Sequence, residues 1–394
     1  MDWIDTFVKD TEGIQSPQSF RLWTAITTIA GALERRVYTE TDKGPLYPNL
    51  FVLLSGVPAS GKSLMVDQAR KLWTETKNGP EYIFVGPDNP TKKSFLEALE
   101  NSPRTYKNGT GNIISHAMSL ACMEFSVLFS KAESQFFGDM TSLYDNLDQY
   151  KAPRSSTNSI DIDKPTVNIL AGVTPDFLAD LLPESAWGQG FTSRLMFIYG
   201  AKVENPDRDV FAKRPKTNYQ ILQQDLNQIF KMSGEFLWSD DAQLALNKWF
   251  SEGLPPKPDY GRLVHYLGRR EAHVLKLSMI AAVSRHKKLT VELEDFERAK
   301  KWLLDAELTM PDVFKAMRQK SDAQLMQDLH QYTYAIWASV VHDKRKPLKD
   351  EVLWTFLSDK VTSDRIGRLI DTAYRTGIIR KGTDGTFIPK PRTE

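Results

Sequence analysis

The sequence predicts an α/β fold, a parallel sheet with helices on both faces. Three observations predict it. An apolar run, Leu50 to Leu54, passes through a glycine-rich turn into an amphipathic stretch, Leu64–Thr76. Further strand-like runs follow at Glu81–Val85, Ala117–Met123, Val167–Thr174 and Leu195–Tyr199, with helical patterns between them. Strands alternating with helices build a parallel sheet covered on both sides. From Asn218 onward the pattern turns helical, and a separate module closes the chain.

The whole chain sets bounds on function. Its 394 residues suffice for two or three domains. Lys plus Arg number 51 against 50 Asp plus Glu, so any nucleic-acid surface must be a local patch. The single Cys122 excludes an intrachain disulfide and suits a reducing compartment. The acidic start, Met1–Asp5, lacks the basic flank of a signal peptide, and no apolar run approaches a membrane span. The expectation is a soluble, cytoplasmic protein.

Residues 1–43 read as a helical collar. Trp3, Ile4 and Phe7 form an apolar stripe, and Ser16 is placed to cap a helix with Pro17 at its first turn. The mostly apolar helix Phe20–Leu33 is expected to pack on the core or on a neighbouring subunit.

The core is expected over 44–217. Gly56, Val57, Pro58, Ala59, Ser60, Gly61, Lys62 and Ser63 spell G-x-x-x-x-G-K-S between a strand and a helix. That is the pattern and setting of a phosphate-binding loop. The glycines let backbone N–H groups turn inward on phosphate oxygens, and the following helix offers its positive end. Lys62 can reach the β- and γ-phosphates, and the Ser63 hydroxyl can hold Mg²⁺. ATP and Mg²⁺ are the expected ligands.

The third strand ends on Glu124, where a phosphate-loop ATPase keeps the carboxylate that polarises water and holds the metal. Met123 stands where an Asp is usual; Glu133 or an Asp within 139–148 is the reserve. The other reading of Glu124 is a surface residue opening the next helix. Lys151–Lys164 is polar and reads as an exposed loop, either a solvated connector or a segment touching nucleic acid in a pore. Thr174, at the end of the fourth strand, can orient the attacking water, cap the next helix, or both. Arg194 sits at the mouth of the fifth strand. It either crosses to a neighbour's ATP or forms a structural ion pair.

Tyr47-Pro48-Asn49, Gly56–Ser63, Gly86-Pro87-Asp88, Glu124, Ala171–Pro175 and Gly190–Arg194, in this order, resemble phage- and plasmid-encoded P-loop ATPases of replication modules and primase–helicase proteins. Thr192–Phe197 is similar to the Ser-Arg-Phe box of AAA+ proteins, whose Arg acts in trans. The resemblance spans roughly Met1 to Ala306. It implies an AAA+-like core and a ring, with a hexamer the expected form, that moves single-stranded DNA as a helicase. A helicase loader or initiator, or an ATP-regulated DNA-binding protein, is the alternative. Any primase is a separate partner, because the chain has no zinc-like cysteine set.

Residues 218–319 read as a helical lid. The resemblance offers Arg270 as a second phosphate sensor; an exposed basic helix face is the other reading. The six histidines are scattered without metal-ligand spacing. Residues 320–394 hold three helices and a hairpin with Asp384-Gly385 at its turn, the pattern of a winged helix. From Val341 onward twelve Lys and Arg stand against eight Asp and Glu. Arg365, Arg368 and Arg375 on the third helix, with Arg380 and Lys381 on the wing, are the candidate DNA contacts; a protein-binding module is the alternative.

Overall fold

The computed structural model describes residues 1–88, 90–108, 111–125, 134–153, 159–175, 177–178, 190–200, 218–317, 322–340, 346–382 and 385–390. The chain forms two compact units, Met1–Met310 and Pro311–Glu394. The segments expected as collar, core and lid thus share the first unit, and the second begins at 311 rather than 320. Among the described residues no helix is long and apolar enough to cross a membrane.

The first unit opens with α1 (Trp3–Asp10), α2 (Gln18–Leu33), β1 (Val37–Thr41), β2 (Gly44–Leu46) and β3 (Phe51–Ser55). Then come α3 (Lys62–Glu75), β4 (Lys77–Asn78), β5 (Glu81–Tyr82), α4 (Lys92–Glu100), β6 (Pro103–Asn108) and β7 (Gly111–Cys122). After these follow α5 (Ser134–Tyr144), β8 (Gln149–Pro153), β9 (Ser159–Asp163), β10 (Pro165–Val173) and β11 (Leu195–Tyr199). The helical half contains α6 (Tyr219–Ile229), β12 (Gly234–Glu235), β13 (Leu237–Trp238), α7 (Asp240–Ser251), α8 (Val264–Leu267), α9 (Arg270–His286), β14 (Thr290–Val291) and α10 (Leu293–Met317).

A five-stranded sheet, in the order β11-β3-β10-β7-β6, is the frame. Its first four strands are parallel, and β6 returns antiparallel along β7. All five residues of β3 are buried, as a central parallel strand requires. The run at Glu81–Val85 is not one strand. Its start pairs with β4, and Val85 makes only a single parallel bridge to Ser119. Phe84 and Gly86 complete that contact through hydrogen bonds with Ser119, on the part of the β7 edge that β6 leaves uncovered. The loop expected at Lys151–Lys164 is largely the hairpin β8–β9. Its Tyr150, Ala152, Ile160 and Ile162 are buried, a strict two-residue alternation.

The N-terminal helices are part of this unit. Helix α2 lies against α3 and the sheet, with Trp23, Ile26, Ile29 and Leu33 at most 2 % exposed. Each contributes about 2–3 kcal/mol by leaving water. A Cβ at Gly31 would sit 2.6 Å from the Trp73 ring, and Trp73 Nε1 donates to Thr28 O at 2.9 Å. Trp3 Nε1 donates to Leu222 O and Ile4 N to Ser284 Oγ, tying α1 to the helical half. Pro17, not Ser16, takes the cap position of α2.

The second unit contains α11 (Asp322–Ala338), β15 (Leu348–Lys349), α12 (Glu351–Ser358), α13 (Ser363–Arg375), β16 (Ile379–Lys381) and β17 (Thr386–Pro389). Its sheet order is β15-β17-β16, around a core that includes Leu329, Leu353, Leu357, Leu369 and Phe387. Thr362 takes the cap position of α13 without a side-chain cap bond. Asp384, expected at the hairpin turn, lies outside the described residues, as does Glu133.

Candidate nucleotide site

The loop Gly56–Ser63 leaves the carboxyl end of the central strand β3 and enters α3. Ala59 (φ 62°) and Gly61 (φ 84°) adopt the left-handed backbone that curls it. At Gly61 a side chain is also excluded by contact: a Cβ would lie 2.2 Å from Gln15 O. The N-terminal strap at Gln15–Ser16 therefore closes one side of the loop. Helix α3 has no side-chain cap at Gly61, so its first-turn N–H groups have no side-chain acceptor there. An anion fits that arrangement.

Lys62 is 5 % exposed and its ammonium turns onto the loop itself. It donates to Gly56 O (2.7 Å), Val57 O (2.8 Å) and Ser60 Oγ (3.3 Å). Burial pushes its pKa below the usual lysine value, and the nearby Glu124 charge acts the other way. Glu124 lies one residue beyond Met123 after the end of β7 and is exposed, as is Ser63. Phe125 N donates to Gly172 O at 2.7 Å, pinning the backbone just after Glu124 to β10. Thr174 follows β10 and is half-buried, and its carbonyl accepts from Leu178 N at 3.0 Å. Lys62, Ser63, Glu124 and Thr174 therefore meet at the carboxyl ends of β3, β7 and β10, where open α/β sheets bind ligands. Ser63 and Glu124 are the residues that would hold Mg²⁺; Met123 offers no carboxylate.

Arg70 has a place here that sequence reasoning missed. From α3 it donates to Ala121 O at 2.5 Å and pairs with Asp88. It braces α3 against the end of β7, just before Glu124. The only sequence signal was an Arg on the inner half of that helix.

Two further candidates have partners of their own within the chain. Arg194 ends a short 3-10 turn, Thr192–Arg194, before β11. Leu195 pairs with Phe51 and Tyr199 with Ser55, which puts Arg194 at the amino end of the sheet, about 15 Å from the loop. It is 5 % exposed and pairs with Asp145 through two nitrogens, with Nε–Oδ1 at 3.1 Å. Within the chain Arg194 is therefore engaged in an ion pair. Arg270 is fully buried, so the exposed basic helix face is not what is observed. It holds Glu307 through Nε and Nη2 (2.7 and 2.8 Å) and donates to Leu254 O and Pro256 O. Four of its five N–H groups are thus engaged within the chain.

In the second unit, Arg365 and Arg368 both pair with Asp322. The Arg365 side chain is only 15 % exposed, so it fixes α13 to α11 rather than reaching outward. Arg368 keeps 66 % exposure, and Arg375, Arg380 and Lys381 are exposed.

Neither any protein-family model nor any curated protein matches the chain.

Proposed function

We propose that the protein binds and hydrolyses ATP at Gly56–Ser63 and couples turnover to DNA, as a ring-forming helicase of AAA+-like build. One observation carries the ATPase reading: Lys62, Ser63, Glu124 and Thr174 converge at the carboxyl ends of neighbouring strands around an uncapped helix start. In this reading Lys62 leaves its loop carbonyls for the β- and γ-phosphates. Glu124 takes a proton from the attacking water, and Thr174 holds that water in line. Mg²⁺, on Ser63 and Glu124, would neutralise phosphate charge. Support for DNA comes from the second unit, whose helix–strand–helix–helix–hairpin order suits a winged helix with Arg375, Arg380 and Lys381 outward.

A specific observation favours the loader or initiator as a second reading. Arg194 and Arg270, the two arginines expected to sense or stabilise phosphate, are both spent on ion pairs within the chain. An ATPase without them turns over slowly and serves better as a switch than as a motor.

Strand separation of a forked DNA duplex, with ATP and Mg²⁺, tests the two. Unwinding by the wild type and none by Glu124→Gln identifies a motor. DNA-stimulated hydrolysis without unwinding identifies the loader. Absence of any ATP hydrolysis sinks both.

A further inference from the structure

Strand β1 has two edges with different fates. On one side it pairs with β2, Thr39 opposite Leu46, Glu40 opposite Pro45 and Thr41 opposite Gly44. Pro45 has no N–H, so Glu40 and Pro45 form the non-bonded pair of this antiparallel ladder. The Glu40 N–H and C=O are therefore directed to the opposite edge. That edge is covered by β12 only at Val37 and Tyr38. Phe236 N donates to Tyr38 O at 2.7 Å, and the chain then leaves β1 to pair with β14. Trp238 Nε1 bonds Thr39 Oγ1 at 2.8 Å and closes the covered part. Beyond it, the Glu40 N–H and C=O have no strand partner on that edge among the described residues, whereas Thr41 is turned to Gly44 of β2.

This open edge lines a groove of about 500 Å³ between β1 and α7. The floor is apolar: Phe236, Leu246 and Leu275 are buried, with half-buried Trp238 and Phe250 beside them. Leu237 stands in the wall at 64 % exposure. The rim is acidic. Glu40, Asp42 and Glu235 are exposed, and Glu271 is engaged by Lys43 at 3.2 Å.

We propose that this groove docks an extended basic segment of a partner protein, held in strand conformation by the open main-chain groups of Glu40 on β1. The open edge supplies main-chain hydrogen bonds, the mode by which sheets take up peptides. The pleat sends alternate side chains of the guest inward and outward. Inward apolar residues meet Phe236, Leu246 and Trp238; outward Arg or Lys meets Glu40, Asp42 and Glu235.

The probe is a fluorescein-labelled peptide, Arg-Leu-Arg-Val-Arg-Leu, titrated against the full chain by fluorescence polarisation. Saturable binding that falls at high salt is expected. The double reversal Glu40→Lys with Glu235→Lys should weaken it about tenfold or more, since two attractions become repulsions. Leu237→Asp should weaken it as well, whereas Glu252→Lys, on the surface elsewhere, should leave it unchanged. A peptide with Pro for Val should bind poorly, because it cannot donate to the strand edge. Equal binding of the double reversal, of the acidic peptide Glu-Leu-Glu-Val-Glu-Leu, or of an all-Arg peptide overturns the proposal. A change of sedimenting mass in the double reversal also overturns it, by assigning the groove to a second copy of the chain.

Discussion

The two ends of the central sheet use polar residues in opposite ways. At the carboxyl end, Lys62 bonds only the loop it belongs to, and Ser63 and Glu124 face solvent. At the amino end, polar groups are packed away and satisfied. Lys276, 1 % exposed, donates to Asn49 O and Oδ1 and lies 3.9 Å from the Tyr144 ring centre. Burial pushes its pKa well below the usual value. His273 bridges Ser193 O and the Tyr144 hydroxyl, and Arg194 is held by Asp145. A cation next to a glycine turn is therefore no evidence of phosphate chemistry. What distinguishes the two ends is whether its partners can be exchanged for a ligand.

The largest effect that sharpens this contrast concerns Arg270. Arg270→Ala leaves Glu307 buried at 4 % exposure, its charge unpaired. The first unit should lose about 3–5 kcal/mol in denaturant unfolding. Nucleotide affinity per folded molecule should be unchanged. A stable Arg270→Ala protein with weakened ATP binding would instead restore the sensor and blur the contrast. Lys62→Ala should do the reverse. Its ammonium serves no other element, so thermal stability should hold while ATP turnover falls by about 10²–10³-fold. A large drop in stability with turnover retained would make the loop a structural turn.

His273 gives a smaller effect, per unit of pH. Burial first, despite the Ser193 carbonyl, lowers its pKa from 6.5 to about 3. The neutral ring donates to Ser193 O through one nitrogen and accepts from Tyr144 through the other. Between these two values the unfolded chain holds a proton that the folded chain does not, so stability falls as pH drops below about 6.5. The slope from this group is about 1.4 kcal/mol per pH unit. Denaturant titrations at stepped pH should show a flatter slope for His273→Leu than for the wild type. Parallel slopes would mean the ring protonates in place.

How much of this was legible in the sequence follows the range of the interactions. The turn from β3 into α3 depends on eight adjacent residues, and the parallel strands on local apolar runs, so both could be read. The hairpin β8–β9 was missed because Lys151, Asp161 and Asp163 mask an alternation carried by four buried residues. The partners of Arg194 and Arg270 could not be read because Asp145 and Glu307 lie 49 and 37 residues away. His273 and Lys276 gave no signal, since helix α9 is buried on nearly every side and shows no polar face to betray them. The strap at Gln15–Ser16 acts through a backbone carbonyl against Gly61, which side-chain pattern does not encode.

The smallest expected effect tests whether the same contrast, committed against exchangeable, extends to the second unit. Arg365 is committed to Asp322, whereas Arg380 and Lys381 on β16 are exposed. Exposed cations that contact phosphates release counterions, so each one removed should lower the salt dependence of DNA binding by about one in log–log slope. Arg380→Ala and Lys381→Ala should each do so, weakening all sequences alike without loss of stability. Arg365→Ala should leave the slope unchanged and cost stability through the loss of its tie to α11. Measuring Kd for a DNA duplex across salt concentrations separates the two classes. If Arg365→Ala alters the slope as much as Lys381→Ala, its ion pair opens on DNA. Burial would then no longer sort structural from binding arginines in this unit.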